Sequence, residues 1–135
     1  MKKIALSCLL VLSVILLFSN VHAAKPAKVE VLYMNHGPLQ DTLSKMRSIF
    51  TGFADRISVA WYDFESREGE AFKAEKGITA HVPLIIWING NPVEKLGQKE
   101  IKFVGFPTGA GPAFFRGDWT MDDLQTALEQ VTVEK

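Results

Sequence analysis

Residues 34–39 read Met-Asn-His-Gly-Pro-Leu, and residues 81–83 read His-Val-Pro. Beyond residue 23 these two stretches hold the only histidines of the chain, His36 and His81. Imidazole is the side chain suited to metal ligation and to proton transfer near neutral pH. Two imidazoles with the thioether of Met34 make a donor set that suits copper, so Met34, His36 and His81 are the candidate metal ligands. A plainer reading has His36 hydrogen-bonding within its turn and His81 pointing outward. A third makes His36 a general base with Glu30 as its partner, although no nucleophile or oxyanion donor is identifiable beside them. Thiol chemistry is excluded more firmly. Cys8 is the only cysteine, so the chain past residue 23 has neither a disulfide nor a reactive dithiol.

The patterning of the chain says which elements position these groups. Residues 28–34 alternate as a strand, with apolar side chains on both faces near its end, as in a central strand covered on two sides. From Pro38 the period changes: Leu39, Leu43, Met46, Phe50 and Phe53 fall on one helical face, with Pro38 in the first turn where its missing N–H is not needed. Residues 56–64 form a second strand, with Trp61 and Tyr62 expected in the core. Residues 66–77 form a short polar helix closed by Gly77. Residues 82–88, with Trp87 as a core aromatic, form a third strand that ends at the hairpin signal Asn89-Gly90. Residues 100–106 are expected to return as its partner, and 121–131 form a last helix with Thr120 and Asp123 as a capping box.

A right-handed crossover makes the first two strands parallel, and the hairpin adds two more. The expected fold is α/β: a three-layer sandwich, a βαβ(α)ββα core around a four-stranded mixed sheet. Topology then brings 35–37, 81–83 and the 105–119 connection to one rim, where ligands of open α/β sheets tend to sit.

The element order, the helix start "GPLQDTLSKM" and the segment "GITAHVPLIIWING" resemble the thioredoxin-like superfamily over essentially all of residues 24–135. The Cys-Gly-Pro-Cys site of that family reads His36-Gly37-Pro38-Leu39 here. The resemblance implies a redox-inactive member. It also implies a cis Val82–Pro83 bond facing the altered site, and extended substrates bound through main-chain groups beside that proline. Glu30 falls where thioredoxins carry a buried carboxylate. It is expected either there, with its pKa raised by desolvation, or facing solvent and paired with Lys28 or Lys102.

The expected contacts are Asn35, His36, Gly37, Pro38, Val82, Pro83, Phe114, Phe115 and Arg116. The last three belong to a Gly/Pro-rich connection at 107–118. It is long enough to act as a binding element and carries the aromatics and arginine common in protein recognition. The competing reading folds Phe114, Phe115 and Trp119 onto the last helix; a mixture, with one phenylalanine inward and one exposed, is the expectation.

Lys2 and Lys3, the apolar run 4–18 and "VHAA" have the layout of a secretory signal peptide cut after Ala23, giving a domain at 24–135 in the periplasm or outside the cell. The run is shorter than the ~20 residues of a spanning helix, so no membrane insertion is expected after cleavage. Without Lys2 and Lys3 the 15 basic side chains become 13 against 15 acidic ones, a net charge of −2. That gives no basic footprint for nucleic acid. An envelope protein, peptide or small ligand at the rim is the first functional expectation. Copper binding or delivery is the second, and a non-redox enzyme based on His36 the third; no cofactor other than copper is expected.

Overall fold

The computed structural model describes residues 24–133. The signal-peptide assignment at 1–23 lies outside the described residues. The chain is a mixed α/β structure with two sheets. Strands β1 (Ala27–Tyr33), β2 (Ile57–Asp63) and β3 (Leu84–Ile88) form a three-stranded sheet in the order β2-β1-β3. β4 (Val93–Leu96) and β5 (Lys99–Lys102) form a separate two-stranded sheet. Helix α1 (Gln40–Phe53) connects β1 to β2, α2 (Arg67–Lys76) connects β2 to β3, and α3 (Met121–Thr132) closes the described chain. No helix among the described residues is long and apolar enough to cross a membrane.

β1 lies centrally, parallel to β2 and antiparallel to β3. Two apolar clusters cover the sheet. The larger joins Val29 and Val31 of β1 to Leu43, Met46 and Phe50 of α1 and to Leu124 and Leu128 of α3. The smaller joins Leu32, Ile85 and Trp87 to Phe72 of α2. Because successive strand residues point to opposite faces, Val31 and Leu32 feed different clusters, which is why the end of β1 is apolar on both sides. The face expected for α1 is the one it buries: Leu39, Leu43, Met46, Phe50 and Phe53 are all buried. Each contributes roughly 1.5–3 kcal/mol by leaving water. Among the strand aromatics, Trp87 is buried, whereas Trp61 and Tyr62 are half-buried. Tyr62 stacks on Phe72 at a centroid distance of 3.9 Å.

The local stop and start signals act as their chemistry requires. Ser66 accepts from the Gly69 N–H at 2.9 Å and caps α2, and Gly77 ends that helix in the left-handed region at φ 66°. Thr120 and Asp123 form the reciprocal capping box of α3. Asn89 and Gly90 both have positive φ, 49° and 84°, and Ile88 and Asn91 exchange two backbone hydrogen bonds across them, a two-residue hairpin turn.

The chain after that turn departs from expectation. In place of one returning strand at 100–106, β5 stops at Lys102 and pairs with β4, a strand not anticipated at 93–96. The cause lies in the hydrogen bonds beyond β5. The Phe103 N–H donates to Pro92 O and the Val104 N–H to Lys102 O, which turns both donors away from β3. Residues 103–105 still touch the β3 edge, through Ile86 N–H to Phe103 O at 3.0 Å and Gly105 N–H to Leu84 O at 2.8 Å. This irregular contact takes the place of a fourth strand. A second correction concerns Pro83. No peptide bond among the described residues is cis, so Val82–Pro83 is trans, the form every prolyl bond prefers by about 0.5–1 kcal/mol.

Candidate functional site

Three chain segments meet at the C-terminal end of β1. The Met34 N–H donates to Pro83 O at 2.9 Å, tying the exit of β1 to the approach of β3. His36 then stands before a single 3-10 turn, Gly37–Leu39, with its own backbone still extended; its carbonyl accepts from the Leu39 N–H at 3.0 Å. Pro38 fills the first turn, and Leu39 drops into the core at 1% exposure. Leu39 therefore anchors this turn to the core. Asn35 is exposed, and its side-chain oxygen accepts from Gln40 Nε2 at 3.0 Å.

The third segment is the 106–119 connection, which has an internal frame. The Phe106 N–H donates to Phe115 O and the Gly117 N–H to Phe106 O. Arg116 reaches inward along its own loop: Nε donates to Ala110 O at 2.9 Å and Nη2 to Gly111 O at 2.8 Å. Trp119 is fully buried and donates from Nε1 to Gly105 O at 3.1 Å. Gly105 sits at φ +77°, and a side chain there would meet Phe115 O at 2.5 Å. With Trp119 under the loop and Phe115 half-buried, Phe114 is left 90% exposed. The mixed arrangement of one phenylalanine in and one out is the one observed. Arg116, expected as a partner contact, is instead occupied with loop carbonyls.

Between these segments lies a cavity of about 260 Å³ lined by Met34, His36, Pro38, Leu39, His81, Pro83, Phe106, Pro112 and Phe115. His36 and His81 thus face one space. A smaller hollow of about 180 Å³, lined by Val82, Gly105, Phe114 and Arg116 among others, adjoins it and shares His81, Pro83 and Phe115 with it. His81 is held between aromatic edges, with ring centroids 5.8 Å from Phe64 and 6.5 Å from Phe115. The His36 side chain is 56% exposed, and its Nε2 lies 3.7 Å from Glu65 Oε1. Glu65, whose charge by itself reads as part of a solvated face at 65–76, is brought here by the β2–α2 turn. Among the described residues no three of the types His, Cys, Asp and Glu gather closely enough to hold a metal.

Beside the cavity the main chain is unpaired at Val82. Neither the N–H nor the carbonyl of Val82 makes a hydrogen bond with any described residue, although Pro83 on one side is tied to β1. Val82 is half-buried, His81 is exposed, and both line the smaller hollow.

Glu30 serves elsewhere. It is 2% exposed and held by Lys28 Nζ at 2.6 Å and Lys76 Nζ at 3.3 Å. Burial alone would push its pKa up, as the buried reading expected. The hydrogen bonds and charges of the two lysines outweigh burial and bring it below the ordinary carboxylate value. Its ion-pair partners are lysines and that of His36 is Glu65, so the pair Glu30–His36 is not formed.

Comparison with family models, curated proteins and solved structures finds no match for this chain.

Proposed function

We propose that this is an exported, redox-inactive thioredoxin-like protein. It binds an extended peptide segment of an envelope partner in the crevice formed by residues 34–39, 81–83 and 106–115. The fold reading is supported by the element order, by α1 and α2 on opposite faces of a sheet with β1 at its centre, and by the Gly37-Pro38 junction opposite Pro83. The irregular 103–105 edge stands where that family has a fourth strand.

The observation that carries the binding reading is the pairing of an apolar cavity with unsatisfied main chain at its lip. A free N–H and C=O on Val82 is the chemistry by which an extended peptide adds itself to a strand edge. A side chain of that peptide then enters the cavity against Met34, Leu39, Pro83 and Phe115, and the exposed ring of Phe114 covers the next one. Nothing in this arrangement requires sulfur. The trans Val82–Pro83 bond leaves the main-chain groups available, because they belong to the residue before the proline.

Selection of a random displayed heptapeptide library on the purified protein, followed by fluorescence polarisation with the enriched peptide, tests the reading. Phe114→Ala should weaken binding about tenfold, in line with loss of an aromatic anchor. N-methylation of the peptide amide that meets Val82 should cost a further tenfold or more. Full affinity in both cases would show that the crevice is not the site, and a library without enriched sequences would dispose of the peptide altogether.

A further inference from the structure

The crevice also brings together two imidazoles that the peptide reading does not use. His36 and His81, far apart in sequence, line one cavity together with Met34. Met34 is 5% exposed and fixed at the end of β1 by the hydrogen bond from its N–H to Pro83 O. We propose that Met34, His36 and His81 form a binding site for a soft monovalent metal ion, Cu(I), inside this cavity.

The identity of the ion follows from the donors. Zinc sites are built from four ligands drawn from Cys, His and carboxylates. Glu65 lies beside His36, yet no group of three His, Cys, Asp or Glu among the described residues could hold a metal. The remaining donor is a thioether, which selects Cu(I) over harder ions, while imidazole is a good copper ligand. The surroundings agree. Most of the lining is apolar, with Pro38, Leu39, Pro83, Phe106, Pro112 and Phe115 around the three donors. Removing a singly charged ion from water costs far less in such walls than removing a doubly charged one.

His81 is exposed, with edge contacts to the rings of Phe64 and Phe115 at centroid distances of 5.8 and 6.5 Å. Glu65 Oε1 lies 3.7 Å from His36 Nε2, with both side chains exposed.

The ion and the inserted side chain of a peptide would share this cavity, but the ion needs neither the Val82 main chain nor Phe114. The test is anaerobic titration of the purified protein with Cu(I) in competition with bicinchoninate, alongside X-ray absorption of the loaded wild type. One equivalent should be taken from the chelator, with sulfur and nitrogen scatterers both present at the metal. Met34→Leu should weaken Cu(I) at least tenfold, His36→Ala/His81→Ala at least a hundredfold, and Phe114→Ala not at all. Circular dichroism of each variant reports folding. Zn²⁺ bound as tightly as Cu(I), unchanged affinity in the double histidine variant, or a wild-type spectrum without sulfur would each overturn the proposal. Loss of peptide affinity in Phe114→Ala with copper affinity intact would separate the two readings.

Discussion

Glu30 shows what a charged residue does in the middle of an apolar strand. Its carboxylate is buried on the sheet face that carries Leu32 and Trp87. Lys76 arches over Phe72 and Trp87 to reach it, with Nζ 5.2 and 5.6 Å from the two ring centroids. Lys28 reaches it from the solvent side at 2.6 Å, and its hydrogen bond is the largest effect lowering the Glu30 pKa. Since its pKa is lowered in the folded chain, the pairing stabilises the protein above the ordinary carboxylate value. That stability is lost as pH falls through the folded value. Glu30→Gln should therefore lower stability at pH 7 by about 1–3 kcal/mol. Chemical denaturation should show the gap between variant and wild type narrowing at pH 3; a constant gap would mean that charge is not the cause. At Gly37 the fold makes no comparable demand. A Cβ there would touch nothing within 4 Å. Gly37→Ala should leave stability within about 0.5 kcal/mol, measured by thermal melts.

At the scale of elements, the crevice depends on how firmly the 106–119 connection is held. Trp119 is the post around which it turns, with its ring against Phe103 at 5.6 Å and its indole N–H on Gly105 O. Trp119→Phe keeps much of the packing and deletes the donor, leaving a buried carbonyl unsatisfied at a cost of about 1–3 kcal/mol. Gly105→Ala acts on the same joint through its positive φ and the closeness of Phe115 O. Both should expose 107–118 to limited proteolysis before the rest of the chain; equal cleavage in wild type would show that the frame does not hold the loop. Helix α1 follows directly on the Gly37–Leu39 turn, whose Pro38 and Leu39 line the other side. Leu43 lies fully buried between sheet and α3, and Leu43→Ala should cost about 2–5 kcal/mol in denaturant melts.

For the molecule as a whole, one cysteine at position 8 and none beyond it sets a chemical boundary. The purified domain should not catalyse dithiol-dependent reduction of insulin, and turnover above the uncatalysed rate would contradict the proposed function. The helix assignments, with their caps at Gly77 and Thr120, were legible because capping and 3.6-residue periodicity are short-range physics carried by neighbouring residues. The hairpin at Asn89-Gly90 was legible for the same reason: few residues reach positive φ there cheaply. The path after it was not, because it turned on which carbonyl took the Phe103 N–H, and Pro92 O competes with β3 for that donor. The trans state of Val82–Pro83 was likewise invisible, as the two isomers differ by about 0.5–1 kcal/mol and no single residue type decides between them.

By itself the sequence determined the absence of thiol chemistry past residue 23, the buried face of α1, and the Gly-Pro break between β1 and α1. Each is local or a matter of composition. Only the tertiary structure decided that His36 and His81 share a cavity with Met34, and that Phe115 turns in while Phe114 stays out. It alone gave Glu30 to Lys76, 46 residues away, and Glu65 to His36. Such pairings depend on which apolar surfaces find each other first in space. A strand's alternation says that a side chain points to one face, but not what waits there.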